Sequence, residues 1–253
     1  MQTERERPEL ETDKLEEDLS TALDRMAVVL VHQPDCPMPD RKSQSSNTRL
    51  LLKLALKAAR ISVPARLLGL SGTGLVQSIR EHSGLEISLS HCPRMLVIAL
   101  GREKLGVDCE ARGRARNWPG IARQFFTPSE AAVIAATPPG EVEQVFLRHW
   151  TLKEAYVKAN GGSIFGDLNK LTVGSRSAAH DQGEDGERWQ AWHSVVGNCG
   201  ISVCIAREST YPPRLFNCAD LSAGTLQSWS QRHPFIRERT CRFQHYRGQL
   251  ESQ

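Results

Sequence analysis

Several things missing from this 253-residue sequence narrow its reading. It has no run of about 18 apolar residues, the length a membrane-spanning helix requires, so no membrane partner is expected. The opening stretch, MQTERERPELETDKLEEDLS, has no apolar segment of the signal-peptide kind, so no secretory signal is expected. The seven cysteines (Cys36, Cys92, Cys109, Cys199, Cys204, Cys218 and Cys241) are odd in number, scattered, and never spaced C-x-x-C. That pattern argues against a zinc site or a disulfide framework and points to a reducing cytoplasm. No internal repeat is visible. Basic charge is too weak and too dispersed to indicate a nucleic-acid partner, the net being only +3.

What is present is ordinary for a globular chain, with 40% hydrophobic and 24% charged residues. The charge is uneven. Met1 to Ser20 holds eight acids and three bases, which leaves +8 on the remainder, a balance suited to an anionic ligand or an acidic partner.

Periodicity and turn residues predict a buried strand at 27–32, a Pro- and Asp-rich turn, and a helix at 47–60 capped by Asn47. Arg66 to Leu70 reads as a short strand, and Ser71 to Gly74 (SGTG) as a loop. Strands are expected at 85–89, 95–100 and 106–110, with a tight connection at 92–94. Helices follow at 121–126, at 128–136 (capped by Thr127) and at 141–159, the last ended by Asn160, Gly161 and Gly162. Further strands are expected at 171–173, 189–196 and 201–206. The last 45 or so residues are Arg-rich and weakly periodic. With no strict β-α-β rhythm, the fold class is α+β.

Two segments carry candidate chemistry. In the strand GVDCE, Asp108 and Glu110 stand two apart and share a face. Such a pair fits either a solvated sheet edge or a site for a hard cation, whose oxygen-only ligands favour magnesium over zinc. In the helix WTLKEAYVK, Trp150, Glu154 and Lys158 fall on one stripe. Glu154 can add a third carboxylate or take a proton, Lys158 can meet a phosphate, and Lys153 lies beside them. A plain surface Glu-Lys pair fits the same spacing, although the bulky Trp150 implies that the stripe packs inward. Ser90 and His91 follow an apolar strand. His91 can bond a phosphate oxygen or sit as a satisfied, half-buried ring.

Taken together, ISLSH (87–91), LGVDCE (105–110), FFTPSE (125–130) and WTLKEAYVK (150–158) resemble, in order and spacing, the motif blocks of the phosphopantetheinyl transferase superfamily in its surfactin-synthetase-activating (Sfp-type) branch. The last block matches at every fixed position, and the likeness runs from about Arg41 to Ala206. The resemblance implies two similar α+β lobes related by a pseudo-twofold, with coenzyme A in the cleft between them. It divides the chain into a charged extension (1–25), an N-terminal lobe (26–104), a C-terminal lobe with the metal site (105–207) and an Arg-rich tail (208–253).

The resemblance also implies transfer of the phosphopantetheine arm of coenzyme A to a serine of an acidic carrier protein by a magnesium-dependent monomeric enzyme. Asp108, Glu110 and Glu154 would be the metal ligands, and Glu154 the base. His91, Lys158 and Lys153 would meet phosphates, with Ser90 in the same block. Arg41, Lys42 and Arg49 would lie near the 3′-phosphate. Arg112, Arg114, Arg116 and Arg123 would face the carrier. One departure stands out. The G-K-P usual about fifteen residues before the Ser-His step is replaced by Gly74, Leu75 and Val76. A carrier-binding relative without catalysis, and a nucleic-acid-binding protein using the Arg-rich tail, are the competing readings.

Overall fold

A strand that is apolar at every position is stable only with both faces covered. β1 (Val28–His32) is apolar from Val28 to Val31 and is buried throughout, its terminal His32 bonded to the Cys218 carbonyl. Val28 and Leu30 enter one core, and Val29 and Val31 enter another. β3 (Met95–Gly101) divides by the same parity, with Leu96, Ile98 and Leu100 on one side and Met95, Val97 and Ala99 on the other. These two strands form the middle of the fold. The computed structural model describes residues 18–70, 72–161, 168–173, 189–206, 211–237 and 244–245.

The first sheet has the order β2 (Glu86–Cys92), β3, β1, β8 (Arg214–Cys218), β9 (Leu226–Ser228), with β1 and β8 parallel and the other pairs antiparallel. The second is antiparallel, in the order β10 (Ile236–Arg237), β6 (Trp189–Val196), β7 (Cys199–Ala206), β4 (Leu105–Ala111). A short pair joins β5 (Leu171–Thr172) to β11 (Gln244–His245).

The two sheets share one core. On the outer face of the first pack α1 (Leu19–Leu23), α2 (Arg41–Ala58) and α4 (Gly72–Ser83). On the outer face of the second packs α7 (Val142–Ala159). The described chain is therefore α+β, layered helix, sheet, sheet, helix. The helix α3 (Ala65–Leu68) bridges α2 and α4. Both α5 (Trp118–Phe125) and α6 (Pro128–Ala136) pack against the N-terminal half of α7.

Several local expectations are corrected. α2 begins at Arg41 rather than Asn47, because Asp40 accepts from the Ser43 amide at 2.7 Å, and Gln44 and Thr48 extend the buried side back from Leu51 and Leu52. Residues 65–68 are helical rather than extended, entered from Pro64, whose fixed φ of −55° suits a helix entry. The helix α4 runs through the glycines expected in a loop. Leu75 and Ile79, one turn apart and buried, stabilise it against their flexibility. The segment expected as a tail supplies β8, in which Leu215 and Phe216 enter the two cores. Leu19, Ala22 and Leu23, expected in the extension, are buried. The remaining extension to residue 17, and Gly162, lie outside the described residues.

Candidate active site

Strand parity builds the site. Leu105, Val107, Cys109 and Ala111 of β4 point into the core between the sheets. Gly106, Asp108 and Glu110 therefore point the other way, toward α7. Position 106 must be glycine for that helix to lie where it does. A Cβ there would stand 2.0 Å from the Ala155 carbonyl oxygen and 2.6 Å from the Ala159 nitrogen. With strand and helix backbones in contact, the α7 stripe of Trp150, Glu154 and Lys158 comes down beside the acidic strand. Trp150 packs inward, edge-on to Phe125 and stacked near Phe146.

The Lys158 Nζ donates to Asp108 Oδ1 at 2.7 Å, to the Val107 carbonyl at 3.2 Å and to Ser90 Oγ at 3.2 Å. The Ser90 hydroxyl donates to the same Asp108 oxygen at 2.8 Å and accepts from the Cys109 amide at 3.3 Å. Two positions earlier on the strand, Ser88 accepts from the Val107 amide at 2.9 Å. These two serines of β2 satisfy amides on the open edge of β4, which joins the edges of the two sheets at the site. Sequence patterning singled out Ser90 but not Ser88, although the S-x-S alternation in ISLSH places both on one face.

The electrostatics are those of crowded carboxylates. Asp108 is 6% exposed, and its Oδ2 is buried with no hydrogen-bond partner. Burial and the charge of Asp108 push Glu110 up to about 7, while Arg114 and Arg116 pull the other way. Glu154 is also pushed up to about 7, by burial and then by Asp108, with Glu110 adding to the rise and Lys158 opposing it. Burial works against the Lys158 charge, yet Asp108 and Glu154 outweigh it and hold the ammonium above its usual range. Among the described residues no group of three or more His, Cys, Asp or Glu side chains forms a ready metal cage. The donor set nevertheless suits a hard cation. It consists of oxygens that repel one another, including one buried oxygen without a donor.

A basic rim adjoins these carboxylates. His91, exposed at the end of β2, has its pKa lowered by partial burial and by the positive charges of Lys158 and Arg41. Arg41 and Lys42 are exposed in the first turn of α2. Arg49 is half-buried two turns on, with its Nη2 3.5 Å from Ser45 Oγ. Lys153 is a correction. Expected as a third phosphate contact, it is 0% exposed, and its ammonium donates to Glu130 Oε2 and to the Leu168 carbonyl at 2.8 Å, above the Phe126 ring. On α7, positions 153 and 154 point to different sides, and only 154 and 158 reach the carboxylates. Glu130 also accepts from Thr127 and from the Val173 amide, so FFTPSE serves as a capping box and a buried anchor. The T-x-x-E spacing was the signal for it.

Beside Glu110 a pocket of ≈ 80 Å³ is walled by Trp118, Phe146 and Trp150 and rimmed by Arg114 and Arg116. The loop carrying those arginines is held in place. The amides of Gly113 and Arg114 both donate to Glu143 Oε1 at 2.9 Å, and Arg112 exchanges backbone and side-chain bonds with Asn198.

Comparison with known proteins bears on this geometry. Residues 104–205 match the family model described as the 4′-phosphopantetheinyl transferase superfamily. The 4′-phosphopantetheinyl transferase HetI of Nostoc sp. is 28% identical over 126 residues, which cover 49% of this chain and 53% of that protein. The 4′-phosphopantetheinyl transferase of Bacillus subtilis is 25% identical over 127 residues, 46% and 54% of the two chains. The 4′-phosphopantetheinyl transferase AcpT of Escherichia coli is 36% identical over 82 residues, 32% and 42%. The chain thus spans about half the length of the curated relatives it matches.

Proposed function

We propose, on the premise that residues 104–205 carry the sequence of the 4′-phosphopantetheinyl transferase superfamily, that this protein moves the phosphopantetheine arm of coenzyme A onto a serine of a carrier protein, releasing 3′,5′-ADP. One observation supports it most. Asp108 and Glu110 of β4 act electrostatically on Glu154 of α7, the buried Asp108 Oδ2 is unpaired, and the Lys158 and Arg41 cations and the His91 ring stand alongside. Magnesium suits those oxygens, and Asp108, Glu110 and Glu154 would hold it. When bound, it supplies neutralisation of the pyrophosphate and of the leaving group.

The chain's own residues do the rest. Lys158 occupies Asp108 Oδ1, leaves Oδ2 unpaired, and would offer positive charge to the phosphates, while His91, whose lowered pKa favours the neutral ring, would donate an N–H to a phosphate oxygen. Arg41 and Lys42, at the exposed start of α2, would take the 3′-phosphate, with Arg49 two turns behind. Serine needs a base, and Glu154, whose carboxyl titrates near neutrality, would accept the hydroxyl proton on a carboxylate oxygen. The serine oxygen then bonds to the β-phosphorus, and the bond to the departing ADP oxygen breaks. An acidic carrier would dock on the fixed loop that exposes Arg114 and Arg116, with Arg112 and Arg123 nearby, steered by charge. We place the enzyme in the cytoplasm as a monomer.

The test is to incubate the protein with coenzyme A, magnesium and a panel of apo-carriers and to read the mass gain. The wild type adds one phosphopantetheine to at least one carrier. Asp108→Ala, Glu110→Ala and Glu154→Ala each lose transfer on the order of 100-fold or more while staying folded. Coenzyme A binding without mass gain on any carrier would support the non-catalytic relative instead.

A further inference from the structure

Three buried thiols meet behind the acidic strand, and the proposed transfer uses none of them. The sulfurs of Cys92 and Cys199 lie 3.9 Å apart, either able to donate to the other, and Cys109 is buried in the same core beside them. Cys92 and Cys199 are 3% and 1% exposed, among apolar neighbours of the core that the two sheets share. They belong to different sheets and are 107 positions apart in sequence.

Each stands beside a hairpin turn. Cys92 is the last residue of β2 and pairs with Met95 across the turn at Pro93 and Arg94. Cys199 is the first residue of β7 and pairs with Val196 across the turn at Gly197 and Asn198. Arg94, Gly197 and Asn198 are exposed, so a small oxidant has one residue layer to cross. Gly197 takes a left-handed φ of 57° in that tight turn. Cys109, by contrast, is in mid-strand, paired with Ile201 and with its amide bonded to Ser90. Closing 3.9 Å to the S–S length of about 2.05 Å asks for small rotations at two strand ends. Joining Cys92 to Cys109 would instead distort the strand that carries Asp108 and Glu110.

We propose that Cys92 and Cys199 are an oxidation site at which a peroxide forms a disulfide that staples the two sheets together. The Cys92 sulfur attacks one peroxide oxygen, the O–O bond breaks, and the first water leaves, giving a sulfenic acid. The Cys199 sulfur attacks that sulfur, the S–S bond forms, the S–O bond breaks, and the oxygen leaves with the Cys199 proton as the second water. The peroxide is reduced by two electrons and the two thiols are oxidised. The disulfide fixes the end of β2, next to His91, to the start of β7.

The experiment uses the full chain with the exposed Cys36 replaced, as Cys36→Ser, to remove intermolecular pairing. The folded protein is treated with hydrogen peroxide, its remaining thiols are alkylated after denaturation, and its peptides are mapped by mass. The expected result is a dithiothreitol-sensitive peptide joining Cys92 to Cys199, with two hydrogens lost. Oxidation should raise the unfolding temperature by roughly 10 °C, because the cross-link constrains a long loop in the unfolded chain. In Cys199→Ser the peroxide product becomes a dimedone-reactive Cys92, and the temperature shift is absent. Full alkylation of both thiols after peroxide, or a cross-link from Cys92 to Cys109, overturns the proposal. That mapping is read on chains with both cysteines present, so it stands even if a serine variant folds poorly.

Discussion

Gly106→Ala tests whether the site depends on contact between a strand backbone and a helix backbone. The new Cβ would lie 2.0 Å from the Ala155 carbonyl oxygen and 2.6 Å from the Ala159 nitrogen, where ordinary contact begins at 3.4 Å. Both obstacles are main chain, so no rotamer change relieves them, and α7 must lift from β4 by about 1.4 Å. Overpacking of this kind costs about 3 kcal/mol, or an unfolding temperature lower by roughly 6–12 °C. The same lift would stretch the 2.7 Å bond between Lys158 and Asp108 to about 4 Å, beyond hydrogen bonding. It would also carry Glu154 away from the other carboxylates, so transfer should fall about 100-fold. Gly74→Ala is the control. That position is helical and exposed with nothing within 4 Å, and the change should stabilise by roughly 0.5–1 kcal/mol with transfer intact. Calorimetry and the carrier mass assay read both variants. If Gly106→Ala melts and transfers like the wild type, α7 does not rest on β4 through this position and the reasoning is wrong.

The two lysines of the α7 motif should separate cleanly. Lys153→Ala leaves Glu130 buried without its counter-ion and should cost about 3–5 kcal/mol, read by thermal unfolding. Lys158→Ala should act mainly on kcat and KM for coenzyme A, and the reverse assignment would contradict the geometry. Glu110 and Glu154 are raised to about 7 from 4.5, so between those values the folded chain holds protons that the unfolded chain has released. Without cation, their contribution to stability therefore falls as pH rises through that window, and above it magnesium should raise Tm more than below it. A magnesium effect that is flat with pH would remove the carboxylates from the cation site. Reversal of Arg114 and Arg116 to Glu should slow transfer to an acidic carrier strongly at low salt and weakly near 1 M, where screening acts within about 3 Å. Unaltered rates and salt dependence would place the carrier on another face.

Much of the site could be read in the sequence because its geometry is local. Period two puts Asp108 and Glu110 on one face of β4, and period 3.6 puts Glu154 and Lys158 on one stripe of α7. The Thr127 cap and the 128–136 helix were likewise legible, since a capping box is complete within four residues. Lys153 misled for the same reason. Adjacency in the motif placed it with Glu154, while the fold turned it toward Glu130, 23 positions earlier in the chain.

The sequence by itself determined the α+β class, the acidic strand and the helix stripe, because each rests on side-chain spacing within one element. Only the tertiary structure decided which faces meet. Val107 and Cys109 amides find their acceptors in Ser88 and Ser90 of another sheet. A strand near the C-terminus, β8, pairs in parallel with β1, about 186 positions away at the His32 to Cys218 contact. Such pairings leave no period in the sequence around either partner. They follow from burying two-faced strands such as β1, which require a neighbour on every side and take it from wherever the chain returns.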